Sequence, residues 1–175
     1  MLTALVASHC GCSHFSQSTA SKKNADFTNL KQLGLSIRWA TGDRDSTPTS
    51  FSELNELLSP VLVKPNLFVC PATGHDPGSL NSIAEWSDYI YMGNMPEGVT
   101  GAALVICPPE NHNNKYGYIL WSDFTISCVR PEQARRLIAD PLCEATNNTV
   151  PTLNYAKKRI IIQIPERLKQ YYGPE

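Results

Sequence analysis

At 175 residues and a net charge of −1, from 15 basic and 16 acidic side chains, the chain has room for one domain with a real core but not for two comfortable ones. Apolar residues at 42% against 18% charged exclude wholesale disorder. Basic runs such as Lys22-Lys23 and Lys157-Lys158-Arg159 are too short for a phosphate-binding stripe, so no nucleic-acid partner is expected. No apolar run approaches the ~20 residues of a transmembrane helix.

Met1-Leu2-Thr3-Ala4-Leu5-Val6-Ala7 is apolar but has no basic segment before it, so it does not make a convincing signal peptide. Residues 1–17 are expected to be poorly structured. Ser18 to Thr41 reads as an amphipathic helix, with Phe27, Leu30, Leu33, Ile37 and Ala40 recurring at steps of three and four on one face. Gly42 stands where a left-handed residue ends a helix, and a polar loop from Asp43 to Pro48 follows. A shorter helix is predicted from Phe51 to Leu58, opened by the Ser50/Glu53 capping pair and closed by Pro60.

Beyond Val61 the texture changes to short apolar runs separated by turn residues. Strands are predicted at Leu67–Cys70, Tyr89–Met92 and Ala102–Cys107, and Tyr116–Phe124 with Thr125–Val129 reads as a near-continuous strand pair or one bent strand. Arg130-Pro131-Glu132 opens a third helix whose inner face is Ala134, Leu137 and Ile138. A C-terminal extension, 141–175, carries a β-run over 158–164 and a last helical turn from Pro165 to Tyr172. The fold class is therefore α+β, with the first helix packed on one face of a small antiparallel sheet.

Four stretches in order carry a family resemblance. They are Asn29-Leu30-Lys31-Gln32-Leu33-Gly34-Leu35-Ser36-Ile37, Phe68-Val69-Cys70-Pro71, Tyr89-Ile90-Tyr91-Met92-Gly93, and His112 through Cys128 with Asp123 inside it. Together they resemble the globular part of bacterial pseudopilins, the prepilin-type, type II secretion protein G-like group of planctomycete and verrucomicrobial type. The resemblance spans about residues 18–140. It implies a pilin-like fold and a non-catalytic assembly subunit in the cell envelope or periplasm. The partners it implies are other pilin-like or secretion-system subunits. Leu30, Gln32, Gly34, Cys70, Pro71, His112 and Asp123 would be structural motif positions.

The chain departs from that family in three ways. The prepilin cleavage motif and apolar anchor are not read in this sequence, as expected of a divergent or N-terminally abbreviated member. Phe124 follows Asp123 where the family has Gly, so the turn there is expected to be built differently, since Phe disfavours left-handed backbone. The family often has a cysteine just before the Asn-Leu-Lys-Gln stretch, able to pair with the mid-domain one. Here that segment reads Asn24-Ala25-Asp26-Phe27, which leaves Cys70 without that partner.

Several residues invite a chemical role, and each has a plainer explanation. His9-Cys10-Gly11-Cys12-Ser13-His14 crowds soft ligands into one short stretch, whereas metal sites draw on separated pairs. Cys70 with His75 or His112 would make a nucleophile and base, but nothing in the sequence brings them together. Asp43, Asp45 and Asp123 are oxygen ligands of the kind calcium uses, yet the loop lacks the glycine and closing Glu of an EF-hand. Trp86, Trp121 and tyrosines 89, 91, 116 and 118 fit cross-strand packing as well as a binding platform. No catalytic residue and no cofactor are expected, with Asp43 and Asp45 the only weak metal candidates. The alternative to an assembly subunit is a soluble exported ligand- or metal-binding module on the same fold.

Overall fold

A computed structural model describes residues 19–58, 63–143 and 159–173, with side chains from residue 24. The His9–His14 segment lies outside the described residues. The first helix, α1, runs Thr19–Thr41. Gly42 ends it in left-handed backbone at φ 49°, its N–H bonding the Arg38 carbonyl at 3.2 Å. Helix α2, Phe51–Leu57, is capped by Ser50, whose hydroxyl accepts from the Glu53 N–H at 3.0 Å. The return arm of this cap reaches one residue further back than the standard box, because the Glu53 carboxylate accepts from the Thr49 N–H and hydroxyl. Leu58 is already extended, so α2 ends before Pro60.

Five strands form one antiparallel sheet: β1 Ile90–Gly93, β2 Ala103–Cys107, β3 Gly117–Trp121, β4 Ile126–Val129 and β5 Ile161–Gln163. Their order is β4-β3-β2-β1-β5, a four-strand meander with the late strand returning beside β1. Residues beyond 141 thus complete the sheet, and Gln163 also accepts from the Phe51 N–H at 3.0 Å. Short helices fill the connections: α3 Ile83–Trp86, α4 Pro131–Ala139 and α5 Lys169–Tyr172.

The expected strand over Leu67–Cys70 is instead a 3₁₀ helix, Pro65–Phe68. Pro65 supplies the fixed φ that suits a first helical position, and the apolar run is too short for periodicity to separate strand from buried turn. The sheet is also covered on both faces, not one. A Cβ on Gly34 of α1 would lie 3.1 Å from Leu120, whereas one on Gly117 would lie 3.1 Å from Ala134 of α4. Residues 117 and 120 point to opposite faces of β3, so α1 and α4 sit on opposite sides. That explains why β1 and β2 are buried at every position.

Helix α1 turns Leu30, Leu33, Ile37 and Ala40 into the core. Phe27 does not join them; it is 46% exposed, and Asp26 takes the inward position. Positions 26, 30, 33, 37 and 40 keep the three-four step of a single stripe, and Phe27 falls one residue out of phase. Tyr91 stacks on Phe51 at 4.7 Å and donates its hydroxyl to the Pro48 carbonyl, and Tyr89 donates to that of Val69. These tyrosines are core, not a platform. Among the described residues no helix is long and apolar enough to cross a membrane.

Candidate functional site

The inward Asp26 faces three side chains delivered by other parts of the fold. Cys70 follows the 3₁₀ turn, its N–H held by the Asp88 carboxylate at 3.0 Å. Cys107 ends β2 opposite Tyr118, on the face that Leu120 turns toward α1. His112 closes the 3₁₀ helix Pro109–His112, which the two prolines Pro108 and Pro109 start. The ring is wedged by stacking on Tyr116 at 4.4 Å and by the edge of Tyr118 at 5.6 Å.

The donor atoms of Asp26, Cys70, Cys107 and His112 all lie within 4.8 Å of one another, and all four residues are buried. His112 Nε2 stands 3.2 Å from Cys107 Sγ, 3.9 Å from Cys70 Sγ and 3.8 Å from Asp26 Oδ2. Neither Asp26 oxygen has a hydrogen bond of ordinary geometry. Burial pushes its pKa up to about 6, the Cys70 thiol opposes that rise, and the charge of Asp88 adds to it. The Cys107 thiol is raised well above its usual range, chiefly by burial and then by Cys70 beside it.

A polar network borders this cluster. Buried Asp88 binds the Cys70 N–H and the Thr73 hydroxyl through Oδ2, and its Oδ1 lies 2.9 Å from His75 and 2.5 Å from Arg167. Arg167 also donates to the Ser87 carbonyl, tying the C-terminal segment to the domain. Asn111 donates to the Asp88 carbonyl at 2.8 Å and reaches Cys107 Sγ at 3.5 Å. A cleft of about 400 Å³, lined in part by Thr73, His75, Asp88 and Arg167, opens on the far side of this network.

The positions expected to matter fare differently. Cys70 and His112, not brought together by anything in the sequence, are adjacent; the chain between them folds back through β1 and β2. His112, expected at a strand boundary as a packing residue, is a member of the buried cluster. Asp123 lies apart from it, accepting from the N–H and hydroxyl of Thr125 in the β3–β4 turn. Asp43 and Asp45 are exposed and belong to no such cluster among the described residues. Leu30 is core, Gln32 is exposed, Pro71 is half-buried, and Gly34 permits the close seat of α1 on β3.

Phe124 does adopt the left-handed conformation, at φ 65°, in a turn closed by its N–H to the Trp121 carbonyl at 2.9 Å. This is the three-residue hairpin loop that usually places Gly there, so the turn is not built differently. Its ring packs beside Gly34 and under the Arg38 guanidinium, 5.8 Å from the ring centre, which offsets the backbone cost.

Sequence reasoning missed Asp26 and Cys107. The available signals were the phase of Asp26 with the Leu30–Leu33–Ile37 stripe and the five-residue step from Cys107 to His112. Asp26 also falls in the segment where the resembled family often carries the cysteine facing the mid-domain one. Comparisons with protein-family models, with curated proteins and with solved structures return no match for this chain.

Proposed function

We propose that this domain is a non-catalytic structural subunit that works by protein–protein contact in a pilin-like or type II secretion-like assembly. The observation that carries this reading is the outer face of α1. Phe27, Leu35 and Trp39 are 46%, 47% and 62% exposed along one side of a helix whose opposite side is core. Steps of eight and four place them in line, with Lys31 between. Aligned large apolar groups left to solvent mark contact surfaces far more often than isolated ones do. The sequence resemblance likens Asn29–Ile37 to the second half of the family's long helix, the half that packs on the sheet and continues from the assembly spine.

The geometry also favours a non-enzymatic role. The Cys70–His112 pair is enclosed, with Cys70 fully buried and His112 4% exposed, so no substrate carbon reaches the sulfur. Asp123 is on a different turn and cannot orient the imidazole.

A photo-crosslinking residue at Leu35, in full-length protein produced in its own cells, tests the proposal. Crosslinks to a second copy or to another prepilin-type subunit are expected, and Trp39→Asp should abolish them. Absence of any such crosslink from position 35, with the protein folded and abundant, would refute the proposal.

A further inference from the structure

We propose that Asp26, Cys70, Cys107 and His112 form a closed, structural binding site for one zinc-class divalent cation. The inference stands independently of the assembly role. Zinc bound to two sulfurs, one nitrogen and one oxygen at their usual bond lengths spaces its ligands about 3.4–3.8 Å apart. The three separations from His112 Nε2, 3.2, 3.9 and 3.8 Å, bracket that range. A second observation points to a cation: Asp26 is 0% exposed, faces the cluster, and neither of its oxygens has a hydrogen bond of ordinary geometry. A buried carboxylate without well-formed hydrogen bonds is costly, and a metal ion would remove that cost.

The donor set selects the ion. Two thiolates and an imidazole suit zinc and its borderline-soft neighbours, whereas calcium needs an oxygen cage and an iron–sulfur cluster draws on four cysteines or on two cysteines with two histidines. Four protein ligands leave no open position, so the site holds structure together and does no chemistry. On binding, the Cys70 and Cys107 thiols lose their protons to solvent and each sulfur donates a lone pair; no electron changes hands. Asn111, 3.5 Å from Cys107 Sγ, supplies an N–H toward that sulfur, and Asp88 fixes the Cys70 backbone.

The consequence is mechanical. The ligands come from α1, the segment after the 3₁₀ helix Pro65–Phe68, the end of β2 and the 3₁₀ helix Pro109–His112. A bound ion therefore pins the early turns of α1 to the sheet.

Reduced full-length chain in metal-stripped buffer is titrated with cobalt(II) and then with zinc(II). The expected result is one cobalt per chain, with thiolate-to-metal charge-transfer bands, the intense visible bands of a tetrahedral ion, and their loss as zinc displaces cobalt. Cys107→Ser should weaken the charge-transfer band. Asp26→Asn, which leaves the buried volume unchanged, should weaken cobalt affinity by more than the roughly 10–100-fold that losing an outer hydrogen-bonding partner costs. Should the serine variant fail to fold, the wild-type spectrum and stoichiometry decide. Folded, reduced protein that leaves cobalt octahedral overturns the proposal. If the chain is isolated with a Cys70–Cys107 disulfide, cobalt uptake after reduction supports the site, and no uptake overturns it.

Discussion

Two leucines on one helix separate folding from contact. Leu33 is 0% exposed and Leu35 47% exposed, two positions apart on α1. Replacing Leu33 with Asp removes a core side chain whose truncation alone costs about 2–5 kcal/mol. It also buries a carboxylate with no partner, which adds several kcal/mol more. Against a domain stability of about 5–15 kcal/mol, the sum leaves little or no native protein. Leu35→Asp places a charge where water already reaches, and surface changes of this kind stay within about 0.5 kcal/mol. Urea denaturation followed by near-ultraviolet circular dichroism reads both. Leu33→Asp should show no native signal, and Leu35→Asp a midpoint indistinguishable from wild type. Native stability in the Leu33 variant would mean that α1 is not seated on the sheet through this face.

Glu53, lowered to about 2 chiefly by the Thr49 hydroxyl and N–H, stabilises the fold above its unfolded pKa of 4.5. That stability is lost as pH falls through about 2; with the side chain 25% exposed it amounts to roughly 1–2 kcal/mol after screening. Glu53→Gln should therefore lower the melting temperature at pH 7 and flatten the acid limb, and parallel acid limbs would rule the cap out. A Cβ on Gly93 would lie 2.1 Å from the Thr49 carbonyl oxygen, while one on Gly98, at φ 78°, would meet nothing within 4 Å. Gly93→Ala should accordingly cost about 3 kcal/mol or more and Gly98→Ala only the left-handed penalty of about 1–2 kcal/mol, so equal denaturation midpoints would contradict the close approach. Left-handed backbone at Phe124 costs about 1–2 kcal/mol, which Phe124→Gly relieves while losing the ring's contacts, leaving stability within about 1 kcal/mol of wild type. Phe124→Val loses the ring and keeps the strain; a Val variant as stable as the Gly variant in thermal melts would show that the turn is not left-handed.

Much of the secondary structure was legible because local chemistry and tertiary packing agree. Ser50 with Glu53, Gly42 and Pro131 mark helix ends through backbone groups that need partners, and the strands from Ile90 to Val129 end at turn residues. The second covered face of the sheet was harder to see, because near-continuous apolar strands do not say what packs on them. Phe27 misled for a simple reason: counting apolar residues favours Phe over Asp at an inward position, and only the phase of the whole stripe corrects it. The four-donor cluster was the least legible feature. Cys70 and His112 are 42 residues apart, and their meeting depends on the order of β1, β2 and β3, which spacing alone does not encode. Asp26 was hidden further because a lone acid on a helix is ordinarily a solvated one.

The central structural claim, that four side chains from four parts of the chain surround one ion, is tested most directly by X-ray absorption at the zinc edge of the zinc-loaded chain. The account predicts a four-coordinate ion with two sulfurs at about 2.3 Å and two nitrogen or oxygen atoms at about 2.0–2.2 Å. A shell of oxygen and nitrogen alone, or one of four sulfurs, would contradict it.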